Sequence, residues 1–259
     1  MDKIKTGLTA LMTGASLMMA SNANCADGVT VDHLGVNNTL VRVDSGRKFL
    51  LMPVQESNDD ATVNILVDGK LERTLHVRLA KTKVDYCVPF DMEQYAGHDV
   101  VLNIVTSQSR SSVRDAKEDA CWSRFALVDT FDTSNREKYR PAFHHTPLYG
   151  WMNDPNGMVY KDGIWHLYYQ WNPYGSKWQN LSWGHSSSKD LVTWEHHPVA
   201  IEPNGLGYVF SGSSVLDPDN TAGFGKDAII SLYTSAAASQ IQSLAHSKDN
   251  GMTFEIYPG

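Results

Sequence analysis

The amino-acid sequence predicts an all-β protein, in which a small N-terminal β-sandwich is followed by the first blades of a β-propeller. Two observations predict this fold class. Short strand-like runs separated by turn residues fill the first half, and an internal repeat of strand-sized segments fills the second. The chain has 259 residues, 42% of them hydrophobic, which suffices for one large domain or two small ones with separate cores.

Residues 1–23 are expected to be a signal peptide. Lys3 and Lys5 give a basic start, residues 8–20 are apolar but too short for a permanent transmembrane helix, and Ser21 and Ala23 suit a cleavage site. We therefore expect export to the periplasm, the cell surface or the medium, with no transmembrane segment. Lipidation at Cys25 is an alternative to ordinary export, and a disordered start on a cytosolic protein is another.

Residues 27–128 are predicted to form a sandwich-like accessory module. An Asp68-Gly69 hairpin signal separates two of its runs, and the polar stretch 107–120 is expected to be a surface loop or linker before residues 121–128 return as a last strand. Sugar binding and a plain packing or spacer role are both open for this module. The strand-like runs are 29–31, 40–43, 48–54, 62–67, 75–79 and 100–105.

Residues 129–259 contain an internal repeat. The segment 188–195 recurs at 247–255 with one inserted residue, and other strand-like segments match at nearly the same offset. Each unit holds about four strands, which is the size of a propeller blade. Since first strands of blades line the central channel, the match of Asn153-Asp154 to Phe210-Ser211 predicts that Asp154 and Ser211 lie together at one mouth. The other matched pairs are 168–169 with 232–233 and 183–185 with 244–246.

One carboxylate, Asp154, stands between bulky Trp151 and the sequence Pro155-Asn156-Gly157, which predicts a tight turn or bulge. An Asp162-Gly163 hairpin follows, so that Asp154 is expected near the start of a strand. On spacing alone, the favoured interpretation is an aspartate that merely caps the turn by bonding its own backbone.

The stretch Trp151-Met152-Asn153-Asp154-Pro155-Asn156-Gly157 resembles the signature of glycoside hydrolase family 32, the fructan hydrolases that include levanases, inulinases and invertases. The resemblance implies a five-bladed propeller and a retaining hydrolysis of β-fructofuranosidic bonds in fructans or sucrose, with Asp154 as the nucleophile. Accessory modules precede the catalytic domain in some bacterial members. The resemblance does not decide between β-2,6 and β-2,1 linkages.

The same resemblance implies substrate contacts at Asn153, Gln170, Trp178, Phe210 and Ser211. An aromatic wall suits a sugar, because the C–H face of the ring is apolar while its hydroxyl rim is polar. Trp178 is assigned to the pocket because its segment is polar and loop-like. The other tryptophans of this half are expected in the blade core, namely Trp165, Trp171, Trp183 and Trp194.

The chain departs from the family pattern in two motifs. No Arg-Asp-Pro follows Ser211, and no cysteine follows Cys121, so that the Glu-Cys motif carrying the acid/base glutamate is absent. We therefore expect an N-terminal part of a longer enzyme that is poorly soluble and inactive alone. A carbohydrate-binding propeller remnant and a fructosyltransferase are the alternatives.

Charge and cysteine content narrow the partners. The formal net charge is −7, and the acidic residues are dispersed. Nucleic acid binding would require a basic face, and nothing in the sequence suggests one. No Cys/His cluster has zinc spacing, and we expect neither a metal nor a cofactor. Cys87 and Cys121 are open to pairing after export or to remaining separate thiols, because sequence does not give their distance.

Overall fold

The computed structural model describes residues 27–44, 46–108, 114–134 and 139–258. The expected signal peptide and the alternative lipid anchor at Cys25 lie outside these residues. Within them, no helix is both long enough and apolar enough to cross a membrane. The first eight strands are β1 (Val29–His33), β2 (Asn38–Val43), β3 (Phe49–Val54), β4 (Ala61–Val67), β5 (Lys70–Val77), β6 (Tyr86–Asp91), β7 (Val100–Val105) and β8 (Ala126–Val128).

These eight strands form two antiparallel sheets that enclose one core. The larger sheet has the order β1-β2-β7-β4-β5 and the smaller has the order β6-β3-β8. Alternate residues of β2 and β4 point inward, as period-two patterning requires, and the core contains Val41, Leu50, Met52, Ile65 and Leu102. The N-terminal half is therefore a β-sandwich, as the sequence predicted.

Local geometry confirms the predicted hairpin between β4 and β5. Asp68 has φ of 49° and Gly69 has φ of 74°, and positive φ at both central residues suits a tight two-residue hairpin turn. Strand β5 starts at Lys70 and ends at Val77, whereas the sequence placed a run over 75–79. Leu79 makes only an isolated bridge to Val54.

The pattern missed strand β6. Its sequence lacks a polar–apolar alternation and contains Pro89, which has no N–H to donate to a ladder. The structure places β6 at the edge of the smaller sheet, paired only with β3, where a proline is tolerated. Cys87 in this strand and buried Cys121 are both free thiols, which settles the pairing left open by the sequence.

The second half forms two four-stranded antiparallel sheets with the strand order of propeller blades. The first has the order β12-β11-β10-β9 and the second β13-β14-β15-β16, so each is a simple meander. This confirms the predicted fold class. The strands are β9 (Trp151–Lys161), β10 (Ile164–Asn172), β11 (Ser182–Ser188), β12 (Glu195–Ile201), β13 (Tyr208–Asp217), β14 (Ala228–Ala236), β15 (Gln240–Ser247) and β16 (Glu255–Ile256).

The two blades repeat the same turn after their third strands. The Asp190 carboxylate accepts backbone N–H groups from Val192 and Thr193, and Asp249 accepts from Thr253 at the equivalent place. The repeat is therefore structural. The sequence match between the third strands is wrong by two residues, because it aligned His185 with His246. In the structure His185 pairs with Tyr168, and Leu244 pairs with the equivalent Leu232, so that His185 corresponds to Leu244.

A shared apolar layer holds the two blades together. Trp183 and Tyr168 of the first blade pack with Ile229 and Tyr233 of the second, and all four are almost fully buried. Trp171 is buried on the opposite face of the first blade. Burial of Trp171 and Trp183 agrees with their expected core positions.

Candidate active site

Two β-bulges bring the candidate residues together. In the ladder of β9 with β10, Pro155 pairs with Tyr169 and Met152 with Trp171, so that Asn153 and Asp154 both lie opposite Gln170. The Pro155-Asn156-Gly157 segment is therefore part of a bulged strand and not a separate turn. A bulge redirects side chains that a regular strand would send to opposite faces.

The first strand of the second blade has the same irregularity. Val209 pairs with Ser235 and Gly212 with Tyr233, so that Phe210 and Ser211 lie opposite a single residue of β14. The repeat matched these two residues to Asn153 and Asp154, and the structure gives both pairs the same bulged position. Equivalent points of two neighbouring blades therefore carry the candidate site.

The two bulges meet at Asp154. The hydroxyl of Ser211 donates a hydrogen bond of 2.8 Å to the Asp154 carboxylate, and both side chains are exposed. Asp154 is also not a turn cap, because no backbone N–H in the described part of the chain donates to its carboxylate. The geometry leaves this carboxylate accessible and oriented by one hydroxyl.

Close packing beneath the bulge explains Gly157. It has φ of 47°, and a Cβ added there would lie 2.5 Å from the Ser214 hydroxyl oxygen and 2.8 Å from the Trp183 ring. A glycine is required because any side chain would push the two blades apart. The sequence indicated a special conformation here but not the interblade contact.

Gln170 is buried beneath the site, with 1% of its surface exposed. Its side-chain amide donates to the Val209 carbonyl at 2.9 Å, and the neighbouring Trp183 indole donates to the Phe210 carbonyl at 3.0 Å. Both bonds run from the first blade to the bulge of β13. Gln170 therefore fixes the backbone that carries Phe210 and Ser211, and its direct contact with sugar stays a prediction.

An aromatic wall stands beside the bulges. Trp178 is 50% exposed, and its ring centroid lies 6.0 Å from that of Phe210 and 6.2 Å from that of Tyr208, in edge-to-face geometry. On the other side, the Asn153 amide oxygen accepts a 3.1 Å hydrogen bond from the Trp151 indole. Such a wall next to a carboxylate can hold a sugar ring by its apolar face.

Sequence reasoning missed four supports of this site. Trp151 orients Asn153, Trp183 holds the bulge of β13, and the Tyr208 hydroxyl donates to Gln179 at 2.8 Å. Gly157 permits the close approach of the blades. Only Trp151 and Gly157 carried a signal in the motif itself, since the others act through contacts distant in sequence.

Several histidines lie on the strands of the first blade. His196 contacts Ser186 and His197 contacts Ser187, so the adjacent pair points to opposite faces of the sheet. A ring nitrogen of His166 lies 3.1 Å from one of His185. Among the residues the structure describes, no three His, Cys, Asp or Glu side chains are placed to hold a metal ion.

The second half of the chain thus consists of propeller blades that present an exposed carboxylate and an aromatic wall. The family model described as the glycosyl hydrolases family 32 N-terminal domain matches residues 144–259. A model described as a domain of unknown function, DUF4980, matches residues 35–143. Residues 144–259 therefore resemble the N-terminal domain of glycosyl hydrolase family 32.

Named relatives share this region. A levanase of Bacillus subtilis is 53% identical over 127 residues, covering 48% of this chain and 19% of the levanase. An extracellular exo-inulinase of Aspergillus niger is 42% identical over 143 residues, covering 47% and 27%. An invertase of Wickerhamomyces anomalus is 45% identical over 144 residues, covering 51% and 26%. The chain thus spans about a fifth to a quarter of the length of these relatives.

Solved structures match over the same half of the chain. The exo-inulinase of Aspergillus awamori is 41% identical with a TM-score of 0.45, covering 49% of this chain and 28% of that one. The β-fructofuranosidase of Schwanniomyces occidentalis complexed with fructosyl-erythritol is 43% identical with a TM-score of 0.45, covering 50% and 27%.

Proposed function

We propose that the protein hydrolyses β-fructofuranosidic bonds in fructans or sucrose, with Asp154 as the catalytic nucleophile. The observation that carries the proposal is the exposed Asp154 carboxylate, which the bulge of β9 presents and the Ser211 hydroxyl orients at 2.8 Å. This pairing lies within the region that matches family 32. Relatives named levanase, exo-inulinase and invertase support the substrate class.

The proposed reaction is a double displacement with retention. Asp154 attacks the anomeric carbon of the fructosyl unit while an acid protonates the leaving oxygen, and water then releases fructose from the ester. Such enzymes hold the two carboxyl groups about 5–5.5 Å apart. We propose that a glutamate elsewhere in the catalytic domain is the acid/base, because the chain spans only about a fifth to a quarter of the length of the relatives. The chemistry proposed needs no cofactor.

The surrounding side chains have separate proposed roles. Asn153 and Ser211 would hydrogen-bond the bound fructosyl unit, and Ser211 would also hold the carboxylate in its attacking orientation. Trp178 and Phe210 would form the apolar wall, because they pack edge to face and half of the Trp178 surface stays exposed. Gln170 would act from below, by fixing the carbonyl of Val209.

Location and domain division also remain proposals. We propose export, because the sequence begins with a signal-like segment and one relative is named an extracellular enzyme. We also propose a division into an accessory module at 27–128 and a glycoside hydrolase region from 129, because β8 closes the smaller sheet at Val128.

The test replaces the nucleophile in the complete enzyme. Asp154→Asn should lower kcat for fructose release from levan and inulin by about a thousandfold or more, because an amide is a poor nucleophile. Asp162→Asn is the matched control: it makes the same change in the exposed hairpin turn at the other end of β9, where φ of 51° suits asparagine. That control should keep nearly full activity.

The same experiment separates a hydrolase from a carbohydrate-binding propeller. A binder would retain its affinity for fructo-oligosaccharides in Asp154→Asn and would show no turnover in either form. Equal fructose release by the wild type and Asp154→Asn would show that another group attacks the sugar. A fructosyltransferase would lose its activity like the hydrolase, and the ratio of released to transferred fructose identifies it.

A further inference from the structure

The connection between β10 and β11, residues 173–181, carries Trp178 and is built against the N-terminal sandwich. Asn180 in this connection is 2% exposed, although it lies in a loop. Its side-chain oxygen accepts the backbone N–H of His76 at 2.8 Å, and its side-chain nitrogen donates to the His76 carbonyl at 2.8 Å. One amide therefore satisfies both backbone groups of a residue in β5.

This pairing reproduces the bond pattern of a neighbouring strand. β5 is the edge of the five-stranded sheet, and its outer backbone groups have no strand partner on that side. Asn180 has φ of 47°, a conformation that asparagine tolerates better than most residues. The blade thus docks on the edge of the sandwich through a residue only two positions from Trp178.

A second asparagine transmits this anchor through the loop. The Asn172 side-chain oxygen accepts from the Asn180 amide at 3.1 Å and from the Tyr174 backbone N–H at 3.0 Å. Its nitrogen donates to the Lys177 carbonyl at 2.8 Å, next to Trp178. The backbone on both sides of the tryptophan is therefore fixed by one connected set of hydrogen bonds.

The loop also places a side chain inside the sandwich. Tyr174 belongs to the core of the N-terminal module, and its ring centroid lies 6.3 Å from that of Phe90. Near the other end of the loop, Gln179 lies within 3.4 Å of the Asp60 carboxylate and accepts from the Tyr208 hydroxyl at 2.8 Å. Tyr208 in turn packs against Trp178. Both ends of the loop thus depend on the module.

We propose that the N-terminal module is a positioning element of the sugar site, which holds Trp178 in place through Asn180. A packing or spacer role would require only contacts distant from the site, whereas these contacts lie on the loop that carries the aromatic wall. Asn180 is a positioning residue, because it acts on the sugar through Trp178. The inference rests on the proposed function, since it assigns Trp178 to the sugar pocket.

The test removes the Asn180 side chain while keeping its backbone conformation. Asn180→Gly in the complete enzyme should raise KM for a fructo-oligosaccharide about fivefold with little change in kcat, because one hydrogen-bonded anchor is lost. Hydrogen exchange of residues 173–181 should become faster in the same variant. Asn220→Gly is the matched control, since Asn220 also has positive φ and a side-chain hydrogen bond, to Gly225, but lies in the second blade.

A double-variant cycle separates positioning from general stability. In a Trp178→Ala background, Asn180→Gly should have no further effect on KM, because the anchor acts through the tryptophan. Tyr208→Phe provides a second, milder variant that removes the hydroxyl bonded to Gln179. Additive effects on KM, or unchanged exchange of residues 173–181 in Asn180→Gly, would overturn the proposal.

Hydrogen exchange distinguishes a failure of the positioning proposal from a failure of the proposed hydrolase function. A wild-type enzyme that neither binds nor cleaves fructans would overturn the proposed function and, with it, the role of Trp178 in sugar binding. Faster exchange in Asn180→Gly would still establish the anchoring of the loop by the module. Fructan cleavage with an unaltered KM in Asn180→Gly would overturn the positioning role alone.

Discussion

At the scale of single residues, Ser211 has the most direct influence on Asp154. It lies 57 positions further along the chain and reaches the carboxylate only because two bulges share one position in two blades. Hydrogen bonds to a charged acceptor are stronger than those between neutral groups. Ser211 therefore restricts the rotation of a carboxylate that is otherwise open to solvent.

Ser211→Ala should lower kcat/KM for fructose release by about tenfold, the lower end of the range for a hydrogen bond to a charged group, because the site is exposed. Ser213→Ala, on the same strand but outside the bulge, is the matched control and should stay near the wild-type value. Steady-state kinetics of both variants check the expectation. An unchanged kcat/KM in Ser211→Ala would show that this bond is dispensable for the attacking carboxylate.

At the scale of elements, the first blade and the segment that precedes it hold histidines that are wholly or partly buried. Burial, with His196 and Arg140 nearby, lowers the pKa of His145 to about 4. Burial, followed by His197 and His166, lowers the pKa of His185 to about 3, although Asp249 opposes the shift. The Nδ1 atom of His185 has no hydrogen-bond partner among the described residues, so an added proton would be buried without an acceptor.

These shifts predict an acid-sensitive first blade. The pKa of His185 in the folded protein lies below the ordinary value of 6.5. As the pH drops below about 6.5, the unfolded chain therefore binds protons before the folded protein does, and the free energy of unfolding falls. For fully buried His185 the loss should reach up to about 1.4 kcal/mol per pH unit. Thermal unfolding of His185→Gln should show a shallower pH slope, whereas exposed His144→Gln should keep the wild-type slope. Identical slopes in all three proteins would contradict this account.

At the scale of the whole molecule, local chemistry predicted the fold class, and long-range contacts determined the site. Asp162-Gly163, like Asp68-Gly69, could be read as a hairpin because only such residues readily adopt positive φ at both positions. The repeat was recognisable in the sequence because the two blades share the same aspartate-containing turn after their third strands. It brought Asp154 and Ser211 together without any structural information.

Other features lay beyond sequence patterns for physical reasons. β6 holds a proline that only an edge position tolerates, and edge positions are a property of the assembled sheet. Asn180 and His76 are 104 positions apart, and their bond uses the backbone of His76, which leaves no trace in its side chain. Gln170 was predicted from the resemblance as a sugar contact, but the chain pattern could not show that it is buried under the bulge of β13.

The proposed mechanism requires a covalent bond between Asp154 and a fructosyl unit, and trapping that bond tests the mechanism most directly. The complete enzyme would be quenched in acid during turnover of a fructan, and the peptide containing Asp154 analysed by mass spectrometry. We predict a mass increase of one fructosyl unit on Asp154, absent from Asp154→Asn. An adduct on another side chain, or turnover that inverts the anomeric centre without any adduct, would contradict the account.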